Sequence, residues 1–351
     1  MPRNLSIKMS KILIFSDVHL HNWTYGSKLL ATGYNDRLID QCYFFNHIIQ
    51  YCSEHNIDWA ICGGDVFHTH GKIATEVLNV AAGKFNELAQ VTKKCTTLVG
   101  NHDMKSNNIN ALNFLRYTKR RDGTGWTVVN DFDTDWKFGF ISYTDCEAEF
   151  KDNLKQVTKN PNIKYLFMHQ GVKSVKVGSG FEIPNEFLSP DIIPEQIKFA
   201  FTGHYHRHQE VAENLIVIGS PMQYTWSDAG DKKGFIVLDT DTDTWEFIEY
   251  KESPKFIEME NGFDPIDAVN NNFIKITNNF NNIEQQKINL FQKGARSVEF
   301  SPKVHGMDKE RRTRLEAPLS VQEALEIFEK NLENSYIESG EKIRSKKYVL
   351  H

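Results

Sequence analysis

The chain has 351 residues, 40% of them hydrophobic, with 24 Phe and 6 Trp, enough to fill a main core and a smaller second one. No apolar run approaches the roughly 20 residues needed to cross a membrane, and residues 1–8 lack the apolar core of a secretory signal, so a cytoplasmic protein is expected. The formal net charge of −5 excludes a broad cationic footprint, so any nucleic-acid binding would need local patches, metal ions or a partner.

In chain order, Lys11 to Phe15 is a short apolar run ending near Asp17 and reads as a buried strand. From Asp36 to Glu54 apolar residues recur at helical spacing. Ile57 to Cys62 is the next strand and runs into Gly63, Gly64 and Asp65. A helix is predicted over Ala74 to Ala89, and Thr96 to Val99 then leads into Gly100, Asn101, His102 and Asp103. This alternation argues for an α/β domain. Further on, Trp136–Tyr143, Lys164–Met168, Lys198–Thr202, Leu215–Ile218, Gly234–Leu238 and Thr244–Tyr250 are strand-like, with few helical segments between them.

The expected fold is therefore a two-layer β-sandwich flanked by helices over residues 1–253. Past Ser253 and Pro254 the sequence turns Asn-rich, with one helix near Ile283 to Gln292 and one strand near Arg296 to Phe300. We expect a small α+β capping domain over 254–305 and a C-terminal helical tail over 306–351. The five cysteines (Cys42, Cys52, Cys62, Cys95 and Cys146) form no CxxC pair and are odd in number, which favours structural thiols in a reducing compartment.

Nearly every predicted strand in the first 210 residues ends in a possible metal ligand. Asp17 and His19 lie two apart, on one side of an extended segment. Asp65 follows a Gly pair, Asn101 to Asp103 follow a Gly, His169 ends an apolar run, and His204 and His206 are again two apart. Each alone has a bland reading: a satisfied structural His, a Gly-Asp turn, a loop closed by an Asx turn. In this order, each at a strand end, they read as one metal site in the crevice where α/β sheets place active sites. Carboxylate, amide and imidazole ligands suit manganese, iron or zinc better than magnesium or calcium. Asp65 is the natural bridge, because a carboxylate can offer one oxygen to each of two ions.

This set resembles the calcineurin-like metallophosphoesterase superfamily, and within it the SbcD nucleases of bacteria and phages, whose eukaryotic counterpart is the meiotic recombination eleven nuclease. His68, three residues past Asp65, is similar to the nuclease form of the second motif, where protein phosphatases carry Asp-Arg-Gly. Gly219 to Pro221, Ser227 to Gly230 and Lys233 to Phe235 resemble the SbcD pattern after the last ligand. The resemblance covers roughly residues 11–250 by motif.

It implies a first cation on Asp17, His19, Asp65 and His206, and a second on Asp65, Asn101, His169 and His204. It implies His102 as catalytic histidine with Asp103 orienting it, and His68 on the scissile phosphate. It further implies two divalent ions, most simply Mn2+, with exonuclease and single-strand endonuclease activity on DNA in repair or recombination. The expected partners are a second copy of the chain and an SbcC-type SMC-like ATPase. The rival readings are a phosphoesterase for nucleotides or cyclic nucleotides, and a scaffold that lost catalysis.

Three basic clusters (Lys119 to Arg121, Lys309 to Arg314, Lys342 to Lys347) could contact phosphates or simply be solvated faces. Ser320 to Glu323 has the form of a capping box, and Val321, Leu325, Phe328 and Leu332 share a helical face. That face would pack on the chain's own capping domain or dock on the ATPase.

Overall fold

Alternation along Lys11–Phe15 sets up the layers. Ile12 and Ile14 point to one side, Leu13 and Phe15 to the other, and all four are fully buried. A strand apolar on both faces belongs inside a layered sheet, not at its surface. Ile12 and Ile14 join Trp59, Ile61, Leu98, Phe140, Phe167 and Phe201 in a core between two sheets. Leu13 and Phe15 join Phe44, Phe45 and Phe85 beneath helices.

The structure, a computed structural model, describes residues 10–301 apart from 107–108, 119–124, 179, 184–185, 261–265 and 279–280. Its first sheet runs, in spatial order, Thr244–Glu249, Gly234–Asp239, Lys11–Phe15, Trp59–Cys62, Lys94–Leu98 and Thr127–Val129. The last four strands are mutually parallel. The second sheet runs Gln209–Ala212, Leu215–Val217, Phe199–Gly203, Tyr165–His169, Phe138–Ile141 and Phe132–Asp135, with its four middle strands parallel. The two-layer sandwich expected from the sequence is the fold found. Burying an aromatic side chain such as Phe140 or Phe167 in its core is worth about 1.5–3 kcal/mol.

Helices Asp36–His55 and Thr75–Val91 cover the outer face of the first sheet. Asn35 starts the first of them, its side chain accepting from the Arg37 amide, and Asn56 ends it in the left-handed conformation (φ 53°). Helix Glu147–Thr158 covers the outer face of the second sheet through Phe150, Leu154 and Val157. The sequence reading missed this helix, although those three residues sit at i, i+4 and i+7.

Beyond the sandwich, Phe256–Met259, Phe273–Ile276 and Ser297–Phe300 form a three-stranded parallel sheet with helix Ile283–Gln292 on it. Two of these strands were not expected. Phe273 to Ile276 is a four-residue run interrupted by Lys275, too short to stand out between flanking asparagines. Phe256 and Phe273 stack at 4.4 Å, and the Arg37 guanidinium lies 4.9 Å over Phe273. Arg296 Nη2 donates to Asp40 Oδ1 (2.8 Å), which ties the last strand to helix Asp36–His55.

All five cysteines are free thiols. Among the described residues no helix is long and apolar enough to cross a membrane. The predicted helix beginning at Ser320 and all three basic clusters lie outside the described residues.

Candidate metal centre

Parallel neighbours finish at the same end, so the loops after the central strands of both sheets meet. Asp17 and His19 follow Lys11–Phe15, Asp65 follows Trp59–Cys62, and Asn101 and His102 follow Lys94–Leu98. His169 ends its own strand, and His204 and His206 follow Phe199–Gly203. The first two loops are laced by their backbones: Asp17 N donates to the Gly64 carbonyl (3.0 Å) and His19 N to that of Asp65 (3.0 Å).

Lacing them this tightly forces unusual backbone. Asp17 (φ 54°), His19 (46°), Asp65 (51°) and His204 (89°) all lie in the left-handed region. Such geometry costs about 1–3 kcal/mol for a residue other than Gly and tends to mark functional sites. Gly100 is needed for a related reason. A Cβ there would collide with the Asp65 carboxylate and backbone nitrogen.

The side chains form three overlapping groups. Ligand atoms of Asp17, His19 and His206 lie within 4.8 Å of one another, as do those of Asp17, Asp65 and His169 and those of His19, His68 and His102. Asn101 and His204 join the second group: Asn101 Oδ1 is 3.2 Å from His169 Nε2 and 3.0 Å from His204 Nδ1. Asp65 divides its oxygens, with Oδ2 3.7 Å from His19 Nε2 and Oδ1 3.4 Å from His169 Nε2. Asp17 is more central than the resemblance implies, because it also accepts from the His204 amide (3.1 Å).

These residues fit divalent cations. Asp17, Asp65 and Asp103 are at most 1% exposed. Among the described residues no Lys or Arg pairs with any of them, and buried carboxylates without a cation are costly. Nδ1 of His19 is buried without a hydrogen-bond partner, as is Nδ1 of His68. Burial pushes the Asp17 carboxyl up against the pull of His169, with Asp65 adding to the rise, and pushes His19 well below the usual histidine range. Burial also lowers His204 to about 4, helped by His169.

His169 goes the other way. Burial opposes its charge, but the Asp65 carboxylate, then Asp17, outweigh it and raise the ring to about 9. Its Nδ1 donates to the Gly63 carbonyl (2.7 Å), and its Nε2 faces Asp65 and Asn101. The ring therefore holds a proton at the point where candidate ligands converge. Cation loading at pH 7 should displace that proton. We expect release of close to one proton per protein from this ring, and affinity for Mn2+ rising about tenfold per pH unit between 7 and 9. Titration calorimetry in buffers of different ionisation enthalpy measures it; a heat independent of buffer would contradict the charged His169.

His102 falls in the third group, with His19 and His68, and in neither of the first two. Its amide donates to Asp65 Oδ1 (2.9 Å), and its Nδ1 donates to the His68 carbonyl (2.6 Å). The ring is 4.7 Å from His19 and half-buried. One expectation is corrected here. Asp103 does not orient His102. Its oxygens accept from the amides of Phe67 (3.1 Å) and Gly100 (3.0 Å), so it pins the two loops together while the His68 carbonyl holds the ring. Burial and then Asp65 raise Asp103 to about 8. His68 is lowered to about 4 by burial and then by His21, and packs 4.3 Å from Trp23.

The sequence reading gave no role to several neighbours. Gln41 Nε2 donates to the carbonyls of Val18 (2.8 Å) and His19 (2.9 Å), fixing their loop from helix Asp36–His55. Tyr224, Asp228 and Lys233 stand behind His206. An open cleft of about 350 Å³ begins at Asn101 and is lined by His70, Lys105, Asn130 and Tyr143 among others.

Comparison with known proteins agrees with this geometry. A model of the calcineurin-like phosphoesterase family matches residues 10–269. A protein of invertebrate iridescent virus 6, 244L, named as a phosphoesterase, is 26% identical over 63% of this chain and 79% of its own length. Exonuclease subunit 1 of Enterobacteria phage T4 is 28% identical over 57% of this chain and 58% of its own. A second iridescent-virus protein named as a phosphoesterase, 078R of virus 3, is 24% identical over 53% of this chain and 54% of its own. The chain thus spans little more than half of the latter two relatives.

Proposed function

The chain belongs to the calcineurin-like phosphoesterase family, and from that premise we propose that it is a DNA nuclease using two divalent cations. The observation that carries this reading is the division of Asp65 between two ligand groups, with His102 beside it and bound to neither. Asp17, His19, Asp65 and His206 would hold one cation, and Asp65, Asn101, His169 and His204 the other. When bound, such a pair activates water and offsets charge on the phosphate oxygens. Mn2+ suits the mixed oxygen and nitrogen donors.

The rest is done by the chain. The Asp103 clasp keeps the Asp65 and His102 loops in register. His68 faces the same space on a wall made by Trp23 and His21, where it can meet a phosphate oxygen. The cleft beside Asn101 leaves room for a nucleoside on one side of the phosphate. His102, its Nδ1 committed to a carbonyl, can exchange a proton only at Nε2.

A nucleic-acid substrate is supported by the phage relative, whose name is that of an exonuclease subunit, and DNA is the substrate proposed. A role in recombination or repair with an SbcC-type ATPase, and a homodimer, belong to the same proposal and rest on the motif resemblance of residues 11–250 alone. The experiment is a Mn2+-dependent digestion of single- and double-stranded DNA beside bis(p-nitrophenyl) phosphate and a cyclic nucleotide. We expect cleavage of DNA ends and of single strands, abolished by chelator. Hydrolysis of the small diesters with none of DNA would replace this reading with a nucleotide phosphodiesterase. Absence of bound metal after Mn2+ loading would leave only a scaffold.

A further inference from the structure

The segment after the last candidate ligand carries a buried ion pair beside His206. Asp228 and Lys233 are each 3% exposed. Asp228 Oδ1 accepts from Lys233 Nζ (2.8 Å) and lies 3.6 Å from His206 Nδ1. Asp228 Oδ2 accepts from the amides of Tyr224 (3.0 Å) and Thr225 (3.1 Å). Lys233 Nζ also donates to the His206 carbonyl (2.7 Å). His206 thus has the carboxylate facing its ring and the ammonium bound to its backbone carbonyl.

Tyr224 extends the grip to the first loop. Its ring is 5.8 Å from that of His206 and 6.0 Å from that of His19, and its hydroxyl donates to the Val18 carbonyl. The two histidines of the first ligand group are therefore held by one short segment.

Stability does not account for the charges. A buried ion pair costs desolvation about equal to what it returns, and an apolar pair of similar volume commonly holds a loop as well. An apolar pair could not present an anion to His206 Nδ1. A ring whose Nδ1–H faces a carboxylate has a bare Nε2, the form that ligates a metal, and such outer partners fix ring direction. Lys233 in turn fixes the oxygen that does this, by holding both Asp228 and the backbone of the ligand itself.

We propose that Asp228 and Lys233 are positioning residues that set His206 as a ligand of the first cation. The inference rests on the two-cation reading above and assigns to one of the two sites a dependence that the other lacks. Asp228→Asn keeps the shape and removes the anion. In Mn2+ titrations, one of the two equivalents should bind about 10–100-fold more weakly in this variant, and the other as in the wild type. The rise in Tm produced by a fixed Mn2+ concentration should shrink as well. A merely structural pair would lower Tm equally with and without Mn2+.

Should Asp228→Asn alone not fold, the double variant Asp228→Asn/Lys233→Met removes both buried charges together and carries the same expectation. A folded variant that binds both equivalents with wild-type affinity overturns the proposal. A wild-type protein that binds no Mn2+ overturns the two-cation reading itself, and the two failures are distinguished in one set of titrations.

Discussion

Asp65→Ala should remove both bound cations and, with them, essentially all hydrolysis. The two oxygens of the Asp65 side chain face different ligand groups, Oδ2 at 3.7 Å from His19 Nε2 and Oδ1 at 3.4 Å from His169 Nε2. Its carboxyl is held below the usual range even though burial opposes the charge, because His169 and then His19 favour it. Removing it leaves His169 without its main anionic partner and the His102 amide without its acceptor. Charge stabilisation by the ions is worth several kcal/mol, so activity should fall by about 10³-fold or more. Elemental analysis after Mn2+ loading and gel filtration checks the cause. Two equivalents retained in Asp65→Ala would show that the carboxylate does not bridge.

Much of this site was legible because its residues announce themselves locally. Asp17, His19, Asp65 and His169 each sit at or just past an apolar strand, and parallel strands bring such positions to one end. Other features depend on closure of the chain, and their roles left no local trace. Asp228 and Lys233 stand in stretches that matched the family pattern, but their contact with His206 arises only because the segment folds back across it. Asp103 follows His102 directly, which suggested a partner for that ring. Its oxygens are instead taken by the amides of Gly100, three residues back, and of Phe67, in a loop 36 residues away. The left-handed backbone of Asp17, His19 and Asp65 was only faintly signalled: Asp and His are enriched there, but few of them adopt it.

The fold shows the same division. Strands buried on both faces, such as Lys11–Phe15 and Tyr165–His169, read as continuous apolar runs and were found. The parallel sheet of Phe256–Met259, Phe273–Ile276 and Ser297–Phe300 is made of short strands far apart in sequence. Its stability comes from pairing and from Phe256 and Phe273 packing against Tyr25 and Arg37, not from a pattern within any one strand.

His102→Ala should leave the metal content at its wild-type value while slowing DNA cleavage by about 10²–10⁴-fold, the usual contribution of a general acid or base. None of its side-chain atoms is needed by the two proposed ligand sets. Its amide bond to Asp65 Oδ1 is made by the backbone and survives the substitution. The proton chemistry is constrained by geometry: a carbonyl can only accept, so the His68 contact requires a hydrogen on Nδ1. A neutral ring then has a bare Nε2 and can only take a proton, whereas a charged ring can give one to a departing alkoxide. The leaving group decides between proton donation and simple placement. A deoxyribose alkoxide is strongly basic and needs a proton, while p-nitrophenolate departs without one. Loss of the ring should therefore damage DNA cleavage far more than hydrolysis of a p-nitrophenyl diester by the same variant. Equal losses on the two substrates would mean that His102 holds the phosphate in place and gives it no proton.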